Sequence, residues 1–309
     1  METQNEIIQE LGYIVIGAYY DYQEIRIGLT NRVRCLIRQK IEGIDVSKPE
    51  DKKEEDEKKY DKKYKDENLH ELVIQNKNKF SETEYEYITS LIEGLKNTEK
   101  LENGYKKQMQ IYVTSEPIYT TFLKDIKGIS TILAGNLIKE YKYCENSPHA
   151  SSLWKMSGLH VVDGHAPKPE KGVKLEFNPK LRTLCWKIGD SFIKQRTPVY
   201  REIYDNEKAR QLSLMENLKC ETCGSRPDEH TFDKTKKTYL CPKPNTGIYK
   251  YSKSPTPPMR LGHADSRARR KMVKIFVSHY WLKARTIKGL PISLPYAIEK
   301  LGHTHIIKP

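Results

Sequence analysis

The sequence predicts a mainly α-helical protein in three parts, residues 1–116, 117–215 and 216–309. Two observations support this prediction. Apolar residues recur at helical spacing along much of the chain, and charged residues make up 31% of the 309 positions against 37% hydrophobic ones. That balance is typical of extended helices around a limited core, and it disfavours a compact enzyme with deep buried layers.

The first part is predicted to be a long helical arm. Four apolar residues of the segment 11–40 lie on one helical face: Ile25, Leu29, Val33 and Leu36. Ser81 and Glu84 have the spacing of a capping box, which predicts a second long helix running towards Pro117. Two such helices predict an antiparallel coiled coil. Because the stripe has little core beside it, we also expect a homo-oligomer.

A highly charged insert, residues 48–68, separates the two arm helices. It holds 8 lysines and 9 acidic residues in 21 positions, so it is nearly neutral and has little to bury. We expect a solvated helix or a disordered loop there, and not a binding surface.

The second part opens with a glycine-containing turn in the stretch "FLKDIKGISTILAGNLIKEY", residues 122–141. Gly128 can adopt a positive φ, so a first helix can stop there. Ser130 can cap the next helix and leave its first N–H groups pointing outward, where they favour anions. Together with Lys127 this predicts a helix-hairpin-helix that grips phosphates without reading sequence. An ordinary helical corner in the core is the alternative.

Positive charge is concentrated near the C-terminus. The formal net charge is +13, and residues 251–309 alone carry a net +10, from 12 basic and 2 acidic side chains. A polyanionic partner is the simplest use of such a field, and solubility is the alternative. The basic helix from Ala264 turns Met272, Ile275 and Phe276 inward. Its outward cations are predicted to meet phosphates: Arg267, Arg270, Lys271 and Lys274.

Three cysteines in the last part predict a zinc knuckle. "CETC" places Cys220 and Cys223 across a tight turn, and Cys241 supplies a third sulfur. His263 is the favoured fourth ligand, with His230 and His279 as alternatives. We expect a structural zinc, since no HExxH-type base accompanies the ligands.

The sequence contains no apolar run of signal-peptide type and none of membrane-spanning length. We therefore expect an intracellular, cytoplasmic protein with no membrane partner. In that compartment cysteines are thiols or metal ligands, so Cys35, Cys144 and Cys185 are interpreted as small core residues.

In order along the chain, four segments resemble a known family. They are "YYDYQEIRIGLTNRVRCLI", "LKDIKGISTILAGNLIKEY", "LWKMSGLHV" and "NPKLRTLCW". They are similar to the first arm helix, the helix-hairpin-helix, the "YAGL" segment and the "GN..LR..L" helix of insertion-sequence transposases related to the Piv invertases, the bridge-RNA-guided recombinases. The resemblance covers residues 11–209 with gaps. It implies a DNA-transposing scaffold of RuvC-like domain, coiled-coil arm and transposase domain with a serine nucleophile.

The sequence departs from this family at two points. Ten residues precede Leu11, so we expect the RuvC-like domain to be missing or supplied by a partner protein. The interval 159–181, where the serine is expected, holds no Ser, Thr, Tyr or Cys. Catalytic residues are therefore not assigned.

Three functions follow from these observations. The leading one is nucleic-acid binding, to DNA rather than RNA, on a transposase-like scaffold. The second is an active transposase or recombinase that uses Ser157 or an unrecognised tyrosine. The third is a helical scaffold for protein interactions.

Overall fold

A computed structural model describes residues 2–43, 64, 68–162, 166–216, 223, 231–233, 238–240, 261–293 and 307. The chain is mainly helical, as predicted. It forms two compact units, Met1–Thr114 and Ser115–Pro309. The boundaries of the three parts predicted from the sequence stay predictions.

The first unit is built on two long helices, α1 (Glu2–Glu42) and α3 (Glu82–Ser115). A short helix, α2 (Leu69–Gln75), and a 3₁₀ turn (Lys77–Lys79) lie between them in sequence. The long helices run antiparallel, because contacts pair the start of α1 with the end of α3. Tyr112 packs on Gly12, the Arg26 guanidinium bonds Glu102, and Lys40 pairs with Glu84 at 2.5 Å.

The apolar stripe predicted on α1 is only partly correct. Val33 is fully buried, but Ile25 is 50% exposed. The buried residues of α1 instead lie three or four apart on either side of a gap, with Ile16 and Tyr19 before it and Thr30, Val33 and Ile37 after it. Two polar residues, Gln23 and Arg26, continue this spacing between Tyr19 and Thr30. Both donate hydrogen bonds to Glu102, which is buried on α3. A polar layer therefore interrupts the apolar seam of the arm.

The predicted capping box at the start of α3 is confirmed. Ser81 N donates to the Glu84 carboxylate at 3.0 Å, and Glu84 N donates to Ser81 Oγ at 3.3 Å. The charged insert, by contrast, does contribute to the core. Tyr64 is 1% exposed within the apolar cluster of α1 and α3, and its hydroxyl donates to Glu42 at 2.6 Å. Tyr64 is therefore an exception to the expectation that this segment has little to bury; most of the insert lies outside the described residues.

The second unit contains six α-helices within its described residues. They are α4 (Pro117–Thr121), α5 (Thr131–Tyr141), α6 (Ala150–Met156), α7 (Pro179–Gln195), α8 (Tyr200–Glu216) and α9 (Leu261–Ile287). A 3₁₀ turn (Leu123–Asp125) follows α4. Strands β1 (Thr231–Asp233) and β2 (Thr238–Leu240) form an antiparallel hairpin, with Thr231 opposite Leu240.

Helix α9 forms the centre of this unit. Met272 and Phe276 are buried, as predicted, whereas Ile275 is only half-buried. Large side chains of α9 also bond backbone carbonyls of the segment after α5. Tyr280 donates to Lys142 O at 2.9 Å, Trp281 to Ser147 O at 2.7 Å, and Arg285 to Cys144 O at 2.8 Å. Each bond satisfies a backbone carbonyl that lies outside a helix or strand. Side chains of α9 therefore stabilise a segment that has no regular backbone hydrogen bonding of its own.

Candidate nucleic-acid interface

The turn at Gly128 has the predicted local geometry. Gly128 has a φ of 95°, a conformation that side chains resist, and Ser130 Oγ accepts a hydrogen bond from Leu133 N at 3.3 Å as the N-cap of α5. The helix before the turn is short, since α4 has five residues and is followed by a 3₁₀ turn. Lys127 and Ser130 are exposed.

This turn is fixed against the end of α7. Ser191 Oγ donates to Gly128 O and Thr197 Oγ1 donates to Lys127 O, each at 2.7 Å. A Cβ at position 128 would lie 2.9 Å from Ser191 Oγ. Two side chains therefore bond the carbonyls of the turn, and any anion would approach from its exposed side.

The basic helix places three of its four predicted cations in one cluster. Arg267, Arg270 and Lys274 lie on α9 and share this region with Arg182 of α7; we call these four residues the cationic cluster. Arg270 is half-buried and donates to His160 O at 3.2 Å. Burial, Arg182 and Arg267 together lower the pKa of the Arg270 guanidinium. The cluster thus contains like charges close enough to repel one another.

Lys274 is held against an aromatic side chain. Its Nζ lies 4.7 Å from the centroid of the Trp154 ring, and the Trp154 indole N–H donates to Lys274 O at 3.1 Å. Burial lowers the pKa of Lys274, and the nearby positive charge of Arg270 lowers it further. The ring faces one side of the ammonium group without supplying a negative charge.

Arg182 was not among the residues predicted from the sequence. Its Nη1 donates to Pro167 O at 2.8 Å, and its guanidinium lies 4.9 Å from the centroid of the Phe177 ring. Phe177 in turn packs on Gly158, where a Cβ would lie 2.8 Å from the ring. The sequence signal for Arg182 is the "LR" pair in "NPKLRTLCW". This pair supports the family resemblance but does not by itself predict an anion-binding side chain.

The described residues include no acidic partner for the cationic cluster: none of the four has a carboxylate within ion-pair distance. Neighbouring cations on α9 are different. Lys271 pairs with the buried Glu207 at 2.7 Å, and Arg269 lies 3.4 Å from Asp190. The structure therefore separates Lys271, which has its own counter-charge, from the three other predicted cations.

The cluster and the turn contact different parts of α7. Arg182 is in the first turns of this helix, whereas Ser191 near its end and Thr197 just after it bond the Gly128 turn. Ser191 comes nine positions after Arg182, a rise of about 14 Å along the helix axis. The two predicted phosphate-binding features are thus distinct surfaces of one unit.

The predicted zinc ligands are only partly described. Cys220, Cys241 and His230 lie outside the described residues. Cys223 is half-buried, and His263 is exposed in the first turn of α9. His279 is a poor alternative ligand, because its Nδ1 lies 2.9 Å from Tyr200 OH and its Nε2 donates to Ile307 O at 2.8 Å. Zinc binding stays a prediction.

Ser157 lies in an environment unsuited to a nucleophile. It is 0% exposed, and its hydroxyl donates to Leu153 O at 2.6 Å. Its one proton is used there, so Tyr141 OH, at 2.5 Å, donates to Ser157 Oγ. Burial raises the pKa of Tyr141 well above its usual value. Tyr141 is therefore not a base that could activate the serine.

Comparison with known proteins adds no relative: no family model, no curated protein and no solved structure matches the chain. In the described ranges, no helix is both long and apolar enough to cross a membrane.

Proposed function

We propose that the second unit binds nucleic acid, DNA in preference to RNA, through phosphate contacts at the cationic cluster. The observation that carries this proposal is the cationic cluster itself: Arg182, Arg270 and Lys274 are half-buried, Arg267 is exposed beside them, and none of the four has a carboxylate partner among the described residues. Partly desolvated like charges destabilise a fold unless an anion compensates them. A phosphate backbone supplies such anions at regular spacing, and arginine binds them in bidentate fashion.

The resemblance to insertion-sequence transposases supports DNA as the polyanion. Under that resemblance, the second unit corresponds to the transposase domain and the first to the coiled-coil arm. Because Ser157 is buried and hydrogen-bonded, a recombinase step at this serine is not part of the proposal.

The test of the cluster is the salt dependence of binding to duplex DNA. Each neutralised phosphate contributes about −0.9 to the slope of log affinity against log salt. Replacing Arg267, Arg270 and Lys274 together by Gln should flatten the slope by roughly two to three. Lys96, Lys100 and Lys107 on α3 of the arm are exposed, so their joint replacement by Gln is a control with the same change in net charge.

Equal loss of slope in both triple variants would show that only net charge matters, and would overturn the proposal. A parent protein that does not bind DNA, or binds it with a slope near zero, would overturn it too.

We propose the turn at Gly128 as a second phosphate contact, in the manner of a helix-hairpin-helix. The exposed Lys127 and the capped start of α5 support it. Lys127→Gln should flatten the salt slope by about one, while the hydrogen bond from Thr197 to the backbone carbonyl keeps the turn in place. A slope equal to that of the parent would identify the turn as a helical corner only.

We also propose one structural zinc, bound by Cys220, Cys223, Cys241 and His263. The hairpin supports it, because β2 ends at Leu240, next to Cys241. Metal analysis should find one zinc per chain, and Cys223→Ser should lose it. Comparing His263→Ala with His230→Ala identifies the fourth ligand. Purified protein with no zinc and freely reactive thiols would refute the site.

A further inference from the structure

Trp186 is an exposed aromatic residue beside the cationic cluster. It lies on α7, one helical turn after Arg182, and is 57% exposed. Residues four apart on a helix are neighbours on its surface, about 6 Å apart at their Cβ atoms. The largest apolar side chain of this face is therefore adjacent to a cation of the cluster.

The Trp186 ring is positioned by residues that are themselves fixed. The Arg269 guanidinium lies 5.2 Å from the ring centroid. Arg269 is held by Asp190 at 3.4 Å and Asp265 at 3.6 Å. Gly189 allows α9 to approach this closely, since a Cβ there would lie 2.8 Å from Arg269 Cγ. The ring is thus exposed but oriented, which reduces the entropy lost when a flat ligand stacks on it.

We propose that Trp186 stacks an unpaired base of the bound nucleic acid, so that this face binds single-stranded or unpaired nucleotides more tightly than duplex. The inference rests on the proposed phosphate binding at the cationic cluster. An aromatic ring beside cations matches the alternation of flat base and anionic phosphate in a single strand. In a duplex the bases already stack on each other, so no base face is available to the Trp186 ring.

The experiment compares an unstructured oligothymidine with a hairpin duplex of the same length. Trp186→Ala should weaken binding of the oligothymidine about tenfold and leave binding of the duplex unchanged. The salt slope should stay that of the parent, because no charge is removed. Trp186→Phe should keep most of the affinity, since phenylalanine also stacks. Tyr87→Ala removes a similarly exposed aromatic residue from the arm and serves as the matched control.

A second measurement is the tryptophan fluorescence of the protein. Stacking should quench it when the oligothymidine binds, and the quenching should disappear in Trp186→Phe, which keeps Trp154 and Trp281. Equal weakening of oligothymidine and duplex by Trp186→Ala, or no weakening of either, would overturn the inference while leaving phosphate binding intact. Failure of the parent protein to bind either oligonucleotide would instead refute the proposed function.

Discussion

In the proposed interface, Arg270 is a residue whose charge is useful for binding but costly for folding. It is half-buried, and besides burial the like charges of Arg182 and Arg267 lower its pKa. Binding sites commonly retain such groups at the expense of stability. The same residue should therefore respond in opposite directions to a binding assay and to an unfolding assay.

We predict that Arg270→Met weakens DNA binding and raises the free energy of unfolding by up to about 1 kcal/mol. Methionine keeps much of the aliphatic contact and removes the repulsion. Chemical denaturation measures the effect. Arg269→Met is the neighbouring control and should lower stability, because Arg269 bonds Asp190 and Asp265. If both variants lose equal stability, the repulsion is not the dominant effect at position 270.

In the proposed interface, we predict that Lys274 makes DNA binding sensitive to alkaline pH. In the free protein the pKa of Lys274 lies below the usual lysine value of 10.5. A bound phosphate favours the charged form of this side chain. Affinity should therefore be full below the free pKa and fall as pH rises through it, by about tenfold if one charged hydrogen bond is lost. Lys274→Arg should remove this fall up to pH 10, because the guanidinium stays charged. Titration of affinity from pH 7 to 10 checks it, with Lys100→Arg on the arm as the control; identical profiles for parent and Lys274→Arg would contradict the prediction.

At the residue scale, the sequence predicts features that depend on neighbouring residues but not those that depend on packing between helices. Gly128 and Ser130 depend on their own backbone and on residues three positions away, so the sequence was sufficient for their geometry. Whether a cation has a counter-charge depends on the helix packed against it. Lys271 and Lys274 look alike in sequence, yet only Lys271 has Glu207 beside it.

At the scale of elements, α8 and α9 are joined by a buried carboxylate. Glu207 is 5% exposed and accepts hydrogen bonds from Arg210, Gln211 and Lys271. Burial alone would raise the pKa of Glu207, but these bonds outweigh it and lower the pKa from 4.5 to about 2. The ionised form is therefore the one that stabilises the helix pair.

We predict that Glu207→Gln destabilises the second unit by about 2–3 kcal/mol at pH 7. The folded pKa is depressed, so the stabilisation is present above pH 4.5 and is lost as pH falls towards 2. The difference between parent and variant should accordingly shrink to roughly half when unfolding is measured at pH 3. Glu202→Gln, at an exposed position of α8, should match the parent at both pH values. A difference that persists undiminished at pH 3 would argue against the charge as its origin.

The arm shows why hydrophobic periodicity was an incomplete guide to an element. The stripe from Ile25 was chosen because its members are apolar. The seam instead runs through Gln23 and Arg26, which a count of apolar residues passes over. Gln23 and Arg26 can occupy seam positions because both donate hydrogen bonds to Glu102. A paired polar layer of this kind can fix the register of two helices.

At the scale of the whole molecule, the predicted homo-oligomer needs a surface other than the stripe from Ile25 to Leu36. Val33 and Ile37 are buried within the chain and are unavailable to a partner. The start of α1 still exposes apolar residues at spacings of four and three: Ile7, Leu11 and Ile14.

We predict that sedimentation at micromolar concentration finds a dimer or larger species. Replacing Leu11 and Ile14 by Lys should shift it to a monomer, because two charges would be desolvated at the contact. Replacing Ile74, an exposed apolar residue elsewhere in the arm, by Lys is the control. A strict monomer in the parent protein would contradict the prediction.

The position of α9 in the sequence has a consequence for synthesis on the ribosome. Its side chains bond carbonyls that lie 134 to 141 residues earlier in the chain. Helices α4 to α8 emerge first, at about 5–20 residues per second, and wait several seconds without the helix that covers them. Closing such long loops also slows folding after release. The nascent second unit should therefore depend on chaperones until α9 arrives, while both long helices of the arm have already left the exit tunnel and can pair.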